Sequence, residues 1–157
     1  MAGANGSTGD PGGVAGRSRW MGPAPALPAE RIASLVPSLT DAVFCLGRGA
    51  KVVARTEYCV RPRGEVGRVE TVGGTKNPDV ARLVELRPDV VLANHEENTR
   101  RKVERIAERL PVLVTDPRGP ADVPALWREL GAVTGAAEVA DRLAAAVEDR
   151  LARSPDD

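Results

Sequence analysis

Val80-Ala81-Arg82-Leu83-Val84-Glu85-Leu86-Arg87-Pro88-Asp89-Val90-Val91-Leu92-Ala93-Asn94 is the stretch on which the fold turns. Val80, Leu83, Val84 and Leu86 keep the i, i+3, i+4 spacing of one helical face. Arg87-Pro88 stops that helix, because the residue before a proline is pushed out of helical backbone angles. Asp89 to Ala93 then runs apolar without alternation, as a strand covered on both faces does. A helix handing over to a doubly buried strand within a few residues is half of a β-α-β unit.

The pattern repeats outward in both directions. Upstream, Ile32-Ala33-Ser34-Leu35-Val36 reads as a short buried strand closed by Pro37. Ser38 and Asp41 fit a capping box for a helix through Ala42, Val43, Phe44 and Leu46, with Gly47 as its stop. Val52-Val53-Ala54 makes the next strand. A polar loop with Tyr58, Cys59 and Pro62 leads to Val72-Gly73-Gly74-Thr75-Lys76, and Asn77-Pro78 reads as a cap followed by a first-turn proline. Downstream, Asn98 opens a helix carrying Val103, Ile106, Ala107 and Leu110, and Pro111 to Thr115 is a fourth strand. A further helix starts near residues 120–122, carries Leu126, Trp127 and Leu130, and ends at Thr134-Gly135.

Strand and helix alternating at short spacing predict an α/β, Rossmann-like lobe. Its mainly parallel four-stranded sheet has helices on both faces and right-handed crossovers. This lobe spans residues 31–135. Residues 136–157 hold one more helix, with Val139, Leu143, Val147 and Leu151 on a stripe, and a short tail. Two readings of it stand side by side: a terminal helix docked on its own sheet, or a connector to a partner outside this chain.

Composition narrows the function. Twenty-two basic residues balance 22 acidic ones, so no net field draws in nucleic acid or an anionic membrane. Hydrophobic residues make up 42% but aromatics only 3%, which calls for an aliphatic core. Cys45 and Cys59 leave pairing, free thiols and single roles all open. Residues 1–30 are rich in Gly, Ala and Pro and lack the apolar run of a secretory signal or a membrane span. They read as a disordered leader, with Met21 as a second candidate start after Met1, and they set the expectation of a cytoplasmic chain.

Ligands of an open parallel sheet bind outside the carboxyl ends of its strands. Those ends are Pro37-Ser38, Thr56-Glu57-Tyr58, Asn94-His95-Glu96 and Thr115-Asp116-Pro117, a polar rim rather than catalytic machinery. No G-x-G-x-x-G follows the first strand, and no nucleophile elbow is present. Gly73-Gly74-Thr75-Lys76 lacks the spacing of a phosphate loop and reads as a turn. His95 is the single histidine. It offers a ligand to a metal or a bound chelate, or is an exposed corner residue; alone it cannot close a structural zinc site. Glu96-Glu97 fits a solvated corner ahead of a helix, and Cys59 fits either a buried small residue or a ligand.

The ordered set Arg31-Ile32-Ala33-Ser34-Leu35-Val36-Pro37-Ser38-Leu39-Thr40, Val72-Gly73-Gly74-Thr75-Lys76-Asn77-Pro78-Asp79, Leu86 to Asn94 and Glu97-Asn98 resembles the helical-backbone periplasmic-binding family. That family includes the cobalamin-, haem- and ferric-siderophore-binding proteins of ABC transporters, and the likeness runs from about Arg31 to about Ala152. The resemblance implies two lobes joined by one long helix, of which residues 136–152 are the start and the second lobe is absent here. It implies non-catalytic binding of a corrinoid or related metal chelate, with no tightly required cofactor, as the substrate-binding component of an ABC uptake system. It implies an ABC permease, or a separate second lobe, as partner. Pairing through the C-terminal helix is the alternative reading. Ser38, Tyr58, Gly74 and Thr75 match ligand-facing places, and His95 and Glu96 share their rim. Where a permease-docking acid is expected the chain has Ala81, with Glu85 a turn later.

Overall fold

The computed structural model describes residues 17–153. Ten elements build it: β1 (Arg19–Met21), β2 (Ile32–Ser34), α1 (Pro37–Cys45), β3 (Val52–Arg55), α2 (Val80–Leu86), β4 (Val90–Asn94), α3 (Arg100–Ala107), β5 (Val112–Thr115), α4 (Val123–Thr134) and α5 (Ala137–Arg153). The sheet order is β1-β5-β4-β2-β3. Strands β2 to β5 are parallel, and β1 joins antiparallel to β5 with Trp20 opposite Leu113. The fold is α/β with a mostly parallel sheet, one strand larger than the sequence pattern predicts.

Period two sorts each strand between the faces. Ile32, Val90, Leu92 and Leu113 point into a core with Leu39, Val43, Leu130 and Ala140, beneath α1, α4 and α5. Ala33, Val91, Ala93, Val112 and Val114 point the other way, against Leu83, Val103 and Ile106 of α2 and α3. Burying each large aliphatic side chain contributes about 1.5–3 kcal/mol, so the sheet is held from both sides. At its lower end the Asp89 carboxylate accepts the Glu30 and Arg31 amides at 2.8 and 2.9 Å. The Arg31 guanidinium donates to the carbonyl of Leu86 at 2.6 Å, closing the C-terminus of α2.

Four local expectations are corrected. The disordered leader gives way at Arg19, where β1 pairs along β5; Met1–Gly16 lies outside the described residues. Pro37 is not a strand terminator but the first residue of α1, with Val36 at the cap and no side-chain cap from Ser38; a fixed φ suits proline to that position. Asp79, not Asn77, caps α2, its carboxylate accepting the Arg82 amide at 3.0 Å. Thr99 stands at the cap of α3, which frees Asn98 for another task.

Helix α5 lies along α4. Ala136, Ala140 and Ala144 are buried between them, and Val139 and Leu143 are half-buried against the same core. Leu151 stands 37% exposed at the far end.

Candidate functional site

The upper edge of the sheet gathers the loops after β2, β3 and β4. Arg55 closes β3 and spends its guanidinium inward, donating to the carbonyls of Val69 and Cys59, each at 3.0 Å. Beneath the same loop, the Cys59 thiol is fully buried, 3.1 Å from the Thr40 hydroxyl and 3.2 Å from that of Thr56. The Thr40 hydroxyl also lies 2.7 Å from Ser34 Oγ. This seam pins the loop from below and leaves its crest, Glu57 and Tyr58, outside. Tyr58 is 59% exposed, in a chain with few aromatic rings. Cys59 is therefore a buried structural residue, and both cysteines are free thiols.

Opposite the ring stands the Gly73–Asn77 turn. Gly73 has φ +90°, and a Cβ there would meet the Asn77 carbonyl at 2.8 Å, so the turn demands glycine. The Glu57 amide donates to the Gly73 carbonyl at 2.9 Å and ties the two loops together. At Gly74 a Cβ would come 3.4 Å from the Tyr58 ring, so the bare backbone leaves the ring a neighbour of small bulk.

Asn98, expected from sequence as a helix start and as part of the Glu97-Asn98 motif, joins these loops. It is 3% exposed. Its Oδ1 accepts the Asn94 amide at 2.9 Å, while Nδ2 donates to the carbonyls of Thr75 at 2.8 Å and Leu35 at 3.3 Å. One side chain thus joins the loops after β2 and β4 to the Gly73–Asn77 turn. Asn94 Oδ1 in turn accepts the amides of Glu96 and Glu97 at 2.9 and 3.1 Å.

These loops enclose an open concavity of about 520 Å³, lined by Pro37, Glu57, Tyr58, the Gly73–Asn77 turn and Glu97. Of the six residues singled out from sequence, Tyr58, Gly74 and Thr75 meet here. Glu96 stands beside it, its carbonyl accepting the Lys76 ammonium at 2.9 Å while its side chain faces solvent. Ser38 is exposed on α1 next to Pro37 but outside the lining. His95 lies elsewhere, in a separate pocket of about 20 Å³ with Arg19, Asn94 and Arg100. Strand order explains the split: β3 carries Tyr58 at one border of the sheet, whereas β4 and β5 set His95 toward β1 at the other. Among the described residues no group of three or more His, Cys, Asp or Glu side chains is placed to hold a metal ion.

The fold is a mostly parallel sheet, covered by helices on both faces, that gathers polar loops at its strand ends. The family model described as periplasmic binding protein matches residues 32–154, and the chain belongs to that family, the substrate-binding proteins of ABC transporters, which are not enzymes. It is 30% identical over 129 residues to the vitamin B12-binding protein of Pectobacterium carotovorum, a match covering 82% of this chain and 46% of that protein. A vitamin B12-binding protein of Yersinia pestis is 34% identical over 94 residues, 59% of this chain and 33% of the other. Among solved structures, the periplasmic vitamin B12 binding protein of Vibrio cholerae superposes with a TM-score of 0.73 at 24% identity, covering 80% of this chain and 49% of that one. A periplasmic haem-binding protein of Pseudomonas aeruginosa gives 0.71 at 20%, over 80% and 46%. The chain spans about half the length of the relatives it matches.

The expected cytoplasmic location is corrected by the same findings. The family model is described as periplasmic binding protein and the matched structures of Vibrio cholerae and Pseudomonas aeruginosa are periplasmic proteins, which contradicts the cytoplasmic expectation. No helix among the described residues is long and apolar enough to cross a membrane.

Proposed function

We propose that this chain binds a corrinoid or a related metal chelate as the substrate-binding component of an ABC uptake system, through the concavity between Tyr58 and the Gly73–Asn77 turn. The observation that carries the reading is the Tyr58 ring, held outward by a buried seam and faced by the backbone of Gly74. The free face of such a ring is a surface on which a flat macrocycle can stack. Similarity to two vitamin B12-binding proteins supports the corrinoid over other chelates.

An open concavity cannot bury most of a large ligand, as tight binding requires. In this proposal residues 31–135 are one lobe, residues from 136 onward begin the interlobe helix, and a second lobe covers the ligand's other face. An ABC permease receives the loaded protein.

Equilibrium dialysis of the purified chain against cyanocobalamin tests the reading, at up to about 0.1 mM protein so that weak half-site binding registers. Saturable retention that falls about tenfold in Tyr58→Ala and is unchanged in His95→Ala is the expected result. Retention indifferent to Tyr58 would move the site; no retention would remove the corrinoid.

A further inference from the structure

The concavity carries an electrostatic rule that its shape does not. Two acidic residues are in its lining, Glu57, whose Oε1 would lie 3.5 Å from a Cβ at Gly74, and Glu97, and among the described residues neither forms an ion pair. Lys76 is the one cation in the lining, and its ammonium is turned to the carbonyl of Glu96. Arg61 and Arg63, in the loop that carries Tyr58, are exposed but stand outside the lining. Arg55 is spent on main-chain carbonyls beneath the loop, and Arg19, His95 and Arg100 belong to the other pocket.

We infer that this edge selects a ligand whose periphery carries N–H donors and no carboxylates, and that Glu57 and Glu97 are the residues that impose the selection. The inference rests on the proposed binding site and adds the chemical class of the ligand's rim. An ionised carboxylate can only accept hydrogen bonds. A peripheral amide therefore meets Glu57 and Glu97 as partners, with the extra strength of a bond to a charged acceptor. A peripheral carboxylate in the same place meets two like charges and gains a single, already engaged ammonium. The Tyr58 ring and the Gly74 backbone accept a macrocycle's face whatever its periphery, so affinity and selectivity are carried by different groups. Porphyrins with free propionates are turned away by the rim rather than by the platform.

The test compares ligands that differ only at the rim. Cyanocobalamin and its derivative with three side-chain amides hydrolysed to carboxylates form one pair; iron protoporphyrin and its dimethyl ester form the other. Dissociation constants are measured at low and at 0.5 M salt for the unaltered chain and for Glu57→Gln/Glu97→Gln. The expected result is that cyanocobalamin binds about tenfold or more tightly than its tricarboxylate at low salt, a gap that narrows with screening and closes in the double variant. Equal binding of the two, or a gap that persists in the double variant, overturns the inference while leaving the corrinoid reading intact. If neither corrinoid binds, that reading fails, and the porphyrin pair decides the rule separately. Preference for the ester, lost in the double variant, supports it; equal or tighter binding of the free acid overturns it. Retention of none of the four overturns both.

Discussion

The Asn98 side-chain amide donates to the main-chain carbonyl of Thr75 at 2.8 Å, across 23 residues of sequence. The same amide reaches Leu35, and its oxygen takes the Asn94 amide. Only a carboxamide supplies donors and an acceptor at once on so short a stem. Asn98→Asp keeps the shape and replaces the donor with a second acceptor facing two carbonyls. The expected loss is about 2–3 kcal/mol of unfolding free energy, from buried acceptors left unsatisfied, with faster amide exchange in the Gly73–Asn77 turn. Asn98→Gln, one methylene longer, does not restore it. Denaturant unfolding and hydrogen exchange read both effects, and an unchanged midpoint would remove Asn98 from the architecture of the edge.

Much of this lobe is legible in the sequence, and the failures share a cause. Val90 to Ala93 and Val112 to Val114 announce a doubly covered strand because both faces need apolar side chains, and local composition shows that directly. Asn77-Pro78 misleads because local chemistry favours a cap there. A long-range condition decides otherwise: Pro78 is buried and bridges to Gly73, so the helix waits for Asp79. Strand β1 is invisible for the same reason, being three residues whose only partner strand lies more than 90 positions away. His95 and Tyr58 look like neighbours as long as strand order is unknown. The order β5-β4-β2-β3 puts them in different pockets.

Helices α4 and α5 approach closely at Gly131. A Cβ there would lie 2.3 Å from that of Ala140 and 3.2 Å from the Ala136 carbonyl. Gly131→Ala must therefore push the helices apart, although alanine is the better helix former. The expected cost is about 1–3 kcal/mol, as for other overpacked cores. Ala140→Gly in the same chain recovers part of it, so a double-mutant cycle on the denaturation midpoints gives a favourable coupling. Additive penalties would show that the contact is not what limits the helix spacing.

Arg82 grips Glu70 with two hydrogen bonds, at 2.6 and 2.7 Å, and reaches Glu85 at 2.8 Å. The hydrogen bonds from Arg82, with a smaller contribution from its charge, hold the Glu70 carboxyl below the usual glutamate range, against a modest opposing effect of burial. A carboxyl whose native pKa is depressed stabilises the fold above its unfolded value, about 4.3. That contribution is lost as pH falls through the lower native value. Comparing thermal midpoints of the unaltered chain and Arg82→Gln, the difference should be steady near neutrality and shrink below about pH 4. Because the pair is on the surface, salt should shrink it too. A difference that grows on acidification contradicts the assignment.

The two thiols report on separate regions. Cys45, at the end of α1, is exposed, and burial of its sulfur together with the nearby Asp41 charge raises its pKa. It should react with a disulfide reagent near pH 8 completely but more slowly than free cysteine, since the thiolate is the reactive form. Cys59 is fully buried under the Tyr58 crest and should stay silent until its loop opens. One thiol per chain is therefore expected to titrate in the native state and two after denaturation. The slow phase has a further use. Its rate in native protein measures local opening of the Glu57–Tyr58 loop, and a ligand seated on Tyr58 must hold that loop closed. Saturating cyanocobalamin should then slow Cys59 and leave Cys45 untouched. Equal slowing of both would indicate global stabilisation, and binding without effect on Cys59 would place the ligand away from this loop.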